Sequence, residues 1–511
     1  MECDSRTAGR IRDAEAQAPA VRLRHVNQRT LTDRERWWIA ARWAWWGLLV
    51  ATAILARTAF DAAAGGLQPR TWEDSRTYFE IASQPFSLDH LFSQAPLTVP
   101  LLYRLTNLLP SGVEALQHEL AFWSWLGLTL TLSLVPRRWP ARALGLLIGC
   151  SFLLAPLRVG WTGVVLSESI NDSLAAALVT VGMLLGTGTS RLPGGRLRSL
   201  LCVGLAVALG IVGVAWLLTR DSNPISMLAA IPLLCVVGGR RRGPEQRWAL
   251  PLLSVAVCVS LVALWSSHVI PPQPTGLSVH ASLEPPLTAR SAHPLYDNLF
   301  MRVLPDPEAR SYFLARGLPD VAALDRYAVP IDEAGLRARL GPESEALTFP
   351  LWEPAALTDP ELADARAWLA ARGTSTYVGW LFQHPLDRFD ELARASFLIL
   401  APNDLAYYMP DGFPRDGISL AGNAGVVLLL VIGFPVFLTR FRGSGFVGLG
   451  ACLVLGGVAG ATASYLGDAA EIQRHCYGPG QLVILGLAVG FLGWVEAGGT
   501  RGQGRRGEPI A

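Results

Sequence analysis

The sequence predicts an all-α polytopic membrane protein of about ten transmembrane helices, with a mixed or mainly helical extracytoplasmic domain inserted between helices 7 and 8. Three observations predict it. Of 511 residues, 51% are hydrophobic and only 16% charged, far from the balance of a soluble multidomain chain. Apolar segments of spanning length recur along the chain. The connectors between them alternate between arginine-rich and arginine-poor, which is the signature of a membrane topology.

The spans are expected near Trp43–Phe60, His118–Val135, Ala143–Leu157, Thr162–Leu185, Leu200–Leu218, Pro224–Val237, Trp248–Trp265, Ala421–Leu438, Phe446–Leu466 and Pro479–Val495. The short ones are expected to tilt little or to be extended by flanking residues. Residues 1–36 are polar and arginine-bearing, with no apolar core and no small-residue cleavage site, so they read as a cytoplasmic tail before an uncleaved signal-anchor helix. Trp37, Trp38, Trp43, Trp45 and Trp46 would form an interfacial belt around that helix.

The arginine-rich connectors are "PRRWPAR" at Pro136, "SRLPGGRLR" at Ser190, "GGRRRGPEQR" at Gly238, "TRFRGSG" at Thr439 and the tail 498–511. All fall on the tail side, so the positive-inside rule puts both termini in the cytoplasm, in a plasma membrane. An N-terminal membrane module (37–266) then carries a first outer loop at 61–117; residues 267–420 form the outer domain and 421–497 a C-terminal membrane module. The outer domain has an acidic excess, many prolines, and helical apolar spacing in "DARAWLAARG" and "HPLDRFDELARASFLIL", the latter expected to return to the membrane surface.

All 43 basic residues are arginine. Without a lysine there is neither a Walker-type phosphate loop nor a pyridoxal Schiff base. The seven cysteines lie mostly inside apolar runs with no CxxC spacing, so neither a disulfide framework nor a zinc knuckle is expected. No cofactor, resident metal or nucleic-acid partner is expected.

Polar clusters mark the outer ends of the spans. In "TWEDSRTYFEIA", Glu73 and Asp74 stand with Arg76 and Tyr78; such a carboxylate pair beside aromatics can act as a base, or simply start a hydrated interfacial helix. In "LSESINDS", Glu168, Asn171 and Asp172 share one helix face, placed one to three turns below the outer end of a span running from Thr162. Ionisable groups at that depth point to a hydrated cavity or to a polar helix contact. In "LLTRDSNPIS", Ser222 or Asn223 would cap a helix with Pro224 first, leaving Arg220 and Asp221 in the turn as an anion site or as a simple pair. In "YLGDAAEIQRHCYGPG", Asp468, Glu471, Arg474 and His475 crowd a turn; the first two with His475 could be read as a metal set, whereas Arg474 and His475 suit phosphate or sugar better.

Taken in order, these motifs resemble the GT-C superfamily of polytopic glycosyltransferases, which includes protein O-mannosyltransferases, aminoarabinose transferases and arabinosyltransferases. The resemblance covers residues 40–495. It implies an inverting transfer of a sugar from a polyprenyl-phosphate donor to a cell-envelope glycan, lipid or protein acceptor on the outer side of the bilayer. It assigns the base to Asp74, with Glu73 in reserve, since an acid followed by Ser and then by Tyr78 matches the pattern. Arg220 and Arg474, assisted by His475, would stabilise the leaving phosphate, and Glu168 and Asp172 would hold sugar hydroxyls or orient Asp74. Tyr78, Asp221, Asp468 and Glu471 complete the expected substrate-binding set. Many members carry more helices or a C-terminal soluble domain; here the outer domain interrupts the bundle instead. A polysaccharide polymerase or ligase, dependent on arginines more than on a carboxylate, is the alternative, ahead of a lipid or sugar transporter, for which no repeated helix pattern is visible.

Overall fold

A computed structural model describes residues 33–66, 69–87, 96–188, 195–239, 254–255, 257–258, 261, 292–328, 356, 359–400, 409, 445–467 and 472–498. The described residues are mainly helical, with one isolated parallel bridge between Arg70 and Val164 and no strand among them. The chain divides into a small unit up to Thr52 and a large unit from Ala53 onward.

In chain order the helices are α1 (Asp33–Gly66), α2 (Glu73–Ser83), α3 (Thr98–Arg104), α4 (Pro110–Leu134), α5 (Trp139–Leu153), α6 (Pro156–Thr162), α7 (Ser167–Met183), α8 (Arg196–Leu217) and α9 (Ser222–Gly239). After them come α10 (Ala292–Asn298), α11 (Pro307–Leu314), α12 (Ala323–Tyr327), α13 (Ala363–Trp368), α14 (Thr374–Gln383), α15 (Pro385–Leu400), α16 (Gly445–Gly467) and α17 (Ile472–Gly498). Among the described residues, five stretches are long and apolar enough to cross a membrane: Ala40–Ala62, Ser167–Gly186, Arg196–Leu217, Gly445–Gly467 and Arg474–Ala497. The pair α5 and α6, bent by 46°, would make a sixth if it is one broken span. The bend follows from Pro156, which cannot donate into the preceding turn and whose ring excludes a straight helix. The segments expected at His118–Val135 and Pro224–Val237 are helical, the first within α4 up to its last residue Leu134 and the second within α9. Most of Trp248–Trp265 and all of Ala421–Leu438 lie outside the described residues, as do residues 1–32 and 499–511.

One boundary differs in a way that matters. The expected span from Thr162 begins as a helix only at Ser167, because Gly163 and Val165 bond to the backbone of Arg70 instead of continuing the turn (Arg70 N to Gly163 O, 2.9 Å; Val165 N to Arg70 O, 2.9 Å). Glu168 therefore sits in the first turn of α7, not one or more turns below its end.

Glycine sets the packing of the C-terminal helices. A Cβ on Gly450 would lie 2.5 Å from the Gly486 carbonyl, one on Gly457 2.7 Å from the Pro479 carbonyl, and one on Gly493 2.7 Å from Val447 N. On its other side α16 meets α9, where a Cβ on Gly456 would lie 2.8 Å from the Ser226 carbonyl. These backbones touch, as small residues allow in a bilayer where apolar burial alone gives no preference between helix and lipid. Gly457→Val is expected to cost about 1–3 kcal/mol through overpacking. Thermal unfolding of the purified chain in detergent checks this, and an unchanged midpoint would refute the close contact.

Residues 292–328 and 359–400 build a small helical body with its own core of Phe300, Val303, Phe313, Leu324, Leu369 and Trp380. The segments expected to be helical from "DARAWLAARG" and "HPLDRFDELARASFLIL" are α13, with the π-helical turn that follows it, and α15. Asn298 donates to the Gly467 carbonyl (2.8 Å) and Tyr377 to the Leu466 carbonyl (2.8 Å), so this body is fastened to the end of α16.

The two ends of the bundle differ in charge. At one end the α4–α5 connector carries Arg137 and Arg138, with Arg142 in the first turn of α5, and Glu496 near the end of α17 accepts from the backbone N–H of Arg137 (2.7 Å) and Arg138 (3.1 Å). At the other end acids and arginines meet side by side.

Candidate functional site

The acid-bearing end is assembled from the starts of α2, α7 and α17 and from the α8–α9 turn. Helix α2 is short, and its buried residues Ser75, Tyr78, Ile81 and Ala82 recur at helical spacing, so one face packs and the other is left to Arg76 and Glu80, an exposed i,i+4 pair at 2.8 Å. Ser75 locates its first turn: the hydroxyl accepts from Trp72 N (2.9 Å) and donates to the Val165 carbonyl (2.5 Å). Gln117 of α4 donates to the adjacent Val164 carbonyl (2.8 Å). The start of α2 is thereby tied to the segment that leads into α7.

This arrangement presents Asp74 to Arg474. Arg474 Nη2 lies 2.7 Å from Asp74 Oδ2, and Arg474 Nε lies 3.7 Å from Glu168 Oε1. Arg220 Nη2 donates to the same Glu168 oxygen at 2.5 Å, while its Nη1 donates to the carbonyls of Arg474 (3.2 Å) and His475 (3.3 Å). The order along this chain of charges is Asp74, Arg474, Glu168, Arg220, so the two acids and two arginines balance. Exposure is unequal: the Asp74 side chain is 47% exposed, that of Arg474 7% and that of Glu168 1%. Asp74 thus offers one carboxylate to solvent while the groups that hold it are buried.

Asp74 and Glu168 each stand in the first turn of a helix, where the unpaired N–H groups favour negative charge. Arg474, in the first turn of α17, has the opposite sign from what that position favours; its retention there depends on the two acids. Glu168 Oε2 and the Tyr103 hydroxyl are buried with no hydrogen-bond partner among the described residues. Tyr78 is buried edge-on to Tyr103, with ring centroids 5.8 Å apart, and hydrogen-bonds with Ser167. Burial, reinforced by the charges of Asp74 and Glu168, pushes the Tyr78 hydroxyl up to about 12, and burial also raises Tyr103 well above its ordinary value, so both phenols remain neutral donors at physiological pH.

Asp172 stands apart from this network. It pairs with Arg158 of α6 (Nε to Oδ2, 2.7 Å), which also donates to Gln481 Oε1 (3.1 Å) and to the Phe152 carbonyl and lies 3.5 Å over the Trp125 ring. These contacts are all internal, and both side chains are almost fully buried. Between the two networks, Asn223 donates to Asn171 Oδ1 (2.7 Å) and to the Trp216 carbonyl (2.6 Å). Asn223 is thus a link between α7 and the α8–α9 turn and not a cap, and Pro224 is the third residue of α9. Asn171 in turn fills the space at Gly478, where a Cβ would collide with its amide.

Of the residues expected from the sequence, Asp74, Glu168, Arg220 and Arg474 meet directly, with Tyr78 beside them. His475 contributes its carbonyl, its ring being half-buried, and Asp221 occupies the turn after Arg220. Glu73 opens α2, but its side chain lies outside the described residues, as do Asp468 and Glu471 entirely. Among the described residues, no group of three or more His, Cys, Asp or Glu side chains is placed to hold a metal. Sequence reasoning missed Ser75, Gln117, Arg158 and Gln481. Arg158 left a trace, a lone arginine in the apolar run "APLRVGW" next to an expected span. Ser75 figured only as the Ser after the acid in the resemblance, with no hint that it reaches the Val165 carbonyl, and Gln117, whose target is likewise a distant backbone carbonyl, left none.

No protein-family model, curated protein or solved structure matches the chain.

Proposed function

We propose that the chain is an integral-membrane inverting glycosyltransferase that moves a sugar from a polyprenyl-phosphate donor to a cell-envelope acceptor, at the acid-bearing end of its helix bundle. The observation that carries this reading is the half-exposed Asp74 carboxylate held against two buried arginines, Arg474 directly and Arg220 through Glu168. A base and an anion site side by side are what transfer from a phosphate-linked sugar requires.

In the reaction, Asp74 takes the proton of an acceptor hydroxyl and the freed oxygen bonds to the anomeric carbon from the face opposite the phosphate. The bond from the anomeric carbon to the phosphate oxygen breaks, and its electron pair leaves on the lipid phosphate. Arg474 and Arg220 offset the charge that develops there, with several N–H donors each at fixed angles. The unpartnered Oε2 of Glu168 accepts from a sugar hydroxyl. When phosphate engages Arg474, the arginine's hold on Asp74 relaxes, so the donor readies the base. The arginine-bearing connectors at the opposite end favour a cytoplasmic location for that end, in a plasma membrane with both termini inside.

The test supplies proteoliposomes with a labelled polyprenyl-phosphate sugar and envelope acceptors, and follows label on lipid and acceptor. Arg474→Gln is expected to weaken donor binding and to slow transfer by about 10²–10³-fold, the loss seen when one charge-stabilising donor is removed. Wild-type chain that elongates lipid-linked glycan without using monosaccharide donor would favour the polymerase or ligase reading, and a chain that only moves label across the bilayer would favour a transporter.

A further inference from the structure

The helical body formed by residues 292–328 and 359–400 exposes large apolar side chains on its last two helices. Phe382 on α14 is 81% exposed, and Leu386 and Phe389 on α15 are 81% and 71% exposed. Val378, one turn before Phe382, is also exposed. The opposite faces of both helices are accounted for: Tyr377 and Trp380 lie in the core of the body, and Ala395 and Ile399 pack on Ala461, Tyr465 and Cys476 of α16 and α17. Leu386, Phe389 and Ala393 recur at i, i+3 and i+7, flanked by exposed Asp387, Asp390 and Arg394. That is the pattern of a helix lying in a water–lipid boundary.

The position of α15 against the spanning helices says what covers this face. The carbonyl of Ile399 lies so near Gly480 that a Cβ there would come within 2.6 Å of it. Gly480 is six residues inside the span that begins at Arg474, hence about 9 Å below its end at 1.5 Å per residue. Nearer its start, α15 meets α16 through Tyr465, whose hydroxyl donates to Glu391 (2.9 Å) two residues before that span ends. Phe389 is ten residues before Ile399, so even an upright α15 would carry it only about 15 Å higher, about 6 Å beyond the end of the span. The headgroup layer occupies about 5–8 Å on each side of the hydrocarbon, so Phe389 falls within it, and deeper if α15 is inclined.

We propose that the α14–α15 corner is a lipid anchor: Phe382, Leu386 and Phe389 insert into the bilayer interface at the acid-bearing end and hold the helical body down beside α16 and α17. The inference does not rest on the glycosyltransferase reading; it needs only the apolar spans and the contacts of α15.

The full-length chain in phosphatidylcholine–phosphatidylglycerol vesicles would be labelled with two carbene reagents, one on a phospholipid acyl chain near the headgroup and one water-soluble, and the adducts mapped by mass spectrometry. The exposed face of α8, with Leu200, Val203, Val207 and Ile211, serves as the lipid-facing reference. Lipid adducts are expected on residues 378–393 at a yield comparable with α8, falling about fivefold in the Phe382→Ser, Leu386→Ser, Phe389→Ser triple variant while α8 is unchanged. Labelling of 378–393 by the water-soluble reagent alone would overturn the proposal. So would labelling by neither reagent, which would mean that a second copy of the chain covers the face.

Discussion

Asp74→Asn is expected to slow sugar transfer by about 10²–10⁴-fold while donor binding and folding persist, because the change removes basicity and little else. Asparagine keeps the shape of the side chain and an oxygen for Arg474 Nη2, now 2.7 Å from the carboxylate. Rapid mixing of labelled donor, acceptor and proteoliposomes separates the transfer step from binding, and the loss is expected in transfer. Glu73→Gln is the control for the neighbouring acid; Asp74 meets Arg474 in the network with Glu168 and Arg220. Undiminished transfer in both variants would falsify the carboxylate assignment and favour a mechanism carried by arginines alone. Silence in Glu73→Gln with activity in Asp74→Asn would move the base by one residue.

Arg158→Ala is expected to cost about 3–5 kcal/mol of stability, the largest structural effect of any substitution considered, because it leaves the Asp172 carboxylate buried without its counter-charge. Arg158 and Asp172 are 3% and 4% exposed, so water cannot take over. The same change also removes the stack on Trp125 and the hydrogen bond to Gln481, which with the Asp172 pair join α4, α6, α7 and α17. Thermal unfolding in detergent measures the loss. Arg158→Met combined with Asp172→Leu is expected to recover much of it, since replacing both partners removes the stranded charge. If Arg158→Ala melts with wild type, the pair is not a structural tie.

Membrane character and the placement of most described helices were legible in the sequence because apolar length and arginine bias are local properties that survive any packing. Asp74, Glu168, Arg220 and Arg474 were legible as polar residues near span ends, each beside the apolar run that gave it away. Their partners were not. Glu168 and Asp172 look equivalent in "SESINDS", one helical turn apart, yet Glu168 bridges the two arginines of the site and Asp172 is neutralised by Arg158. The start of α7 decides this, and that start depends on backbone bonds to Arg70, about ninety residues away.

By itself, then, the sequence determined that the chain is a helical membrane protein with acids and arginines gathered at one end of its spans, since hydropathy and charge act residue by residue. Only the tertiary structure decided which acid meets which arginine, which carboxylate stays open to solvent, and how deep α15 descends along α17. Those outcomes depend on glycine-to-backbone contacts and hydrogen bonds between distant segments, whose energies exist only once the helices have packed.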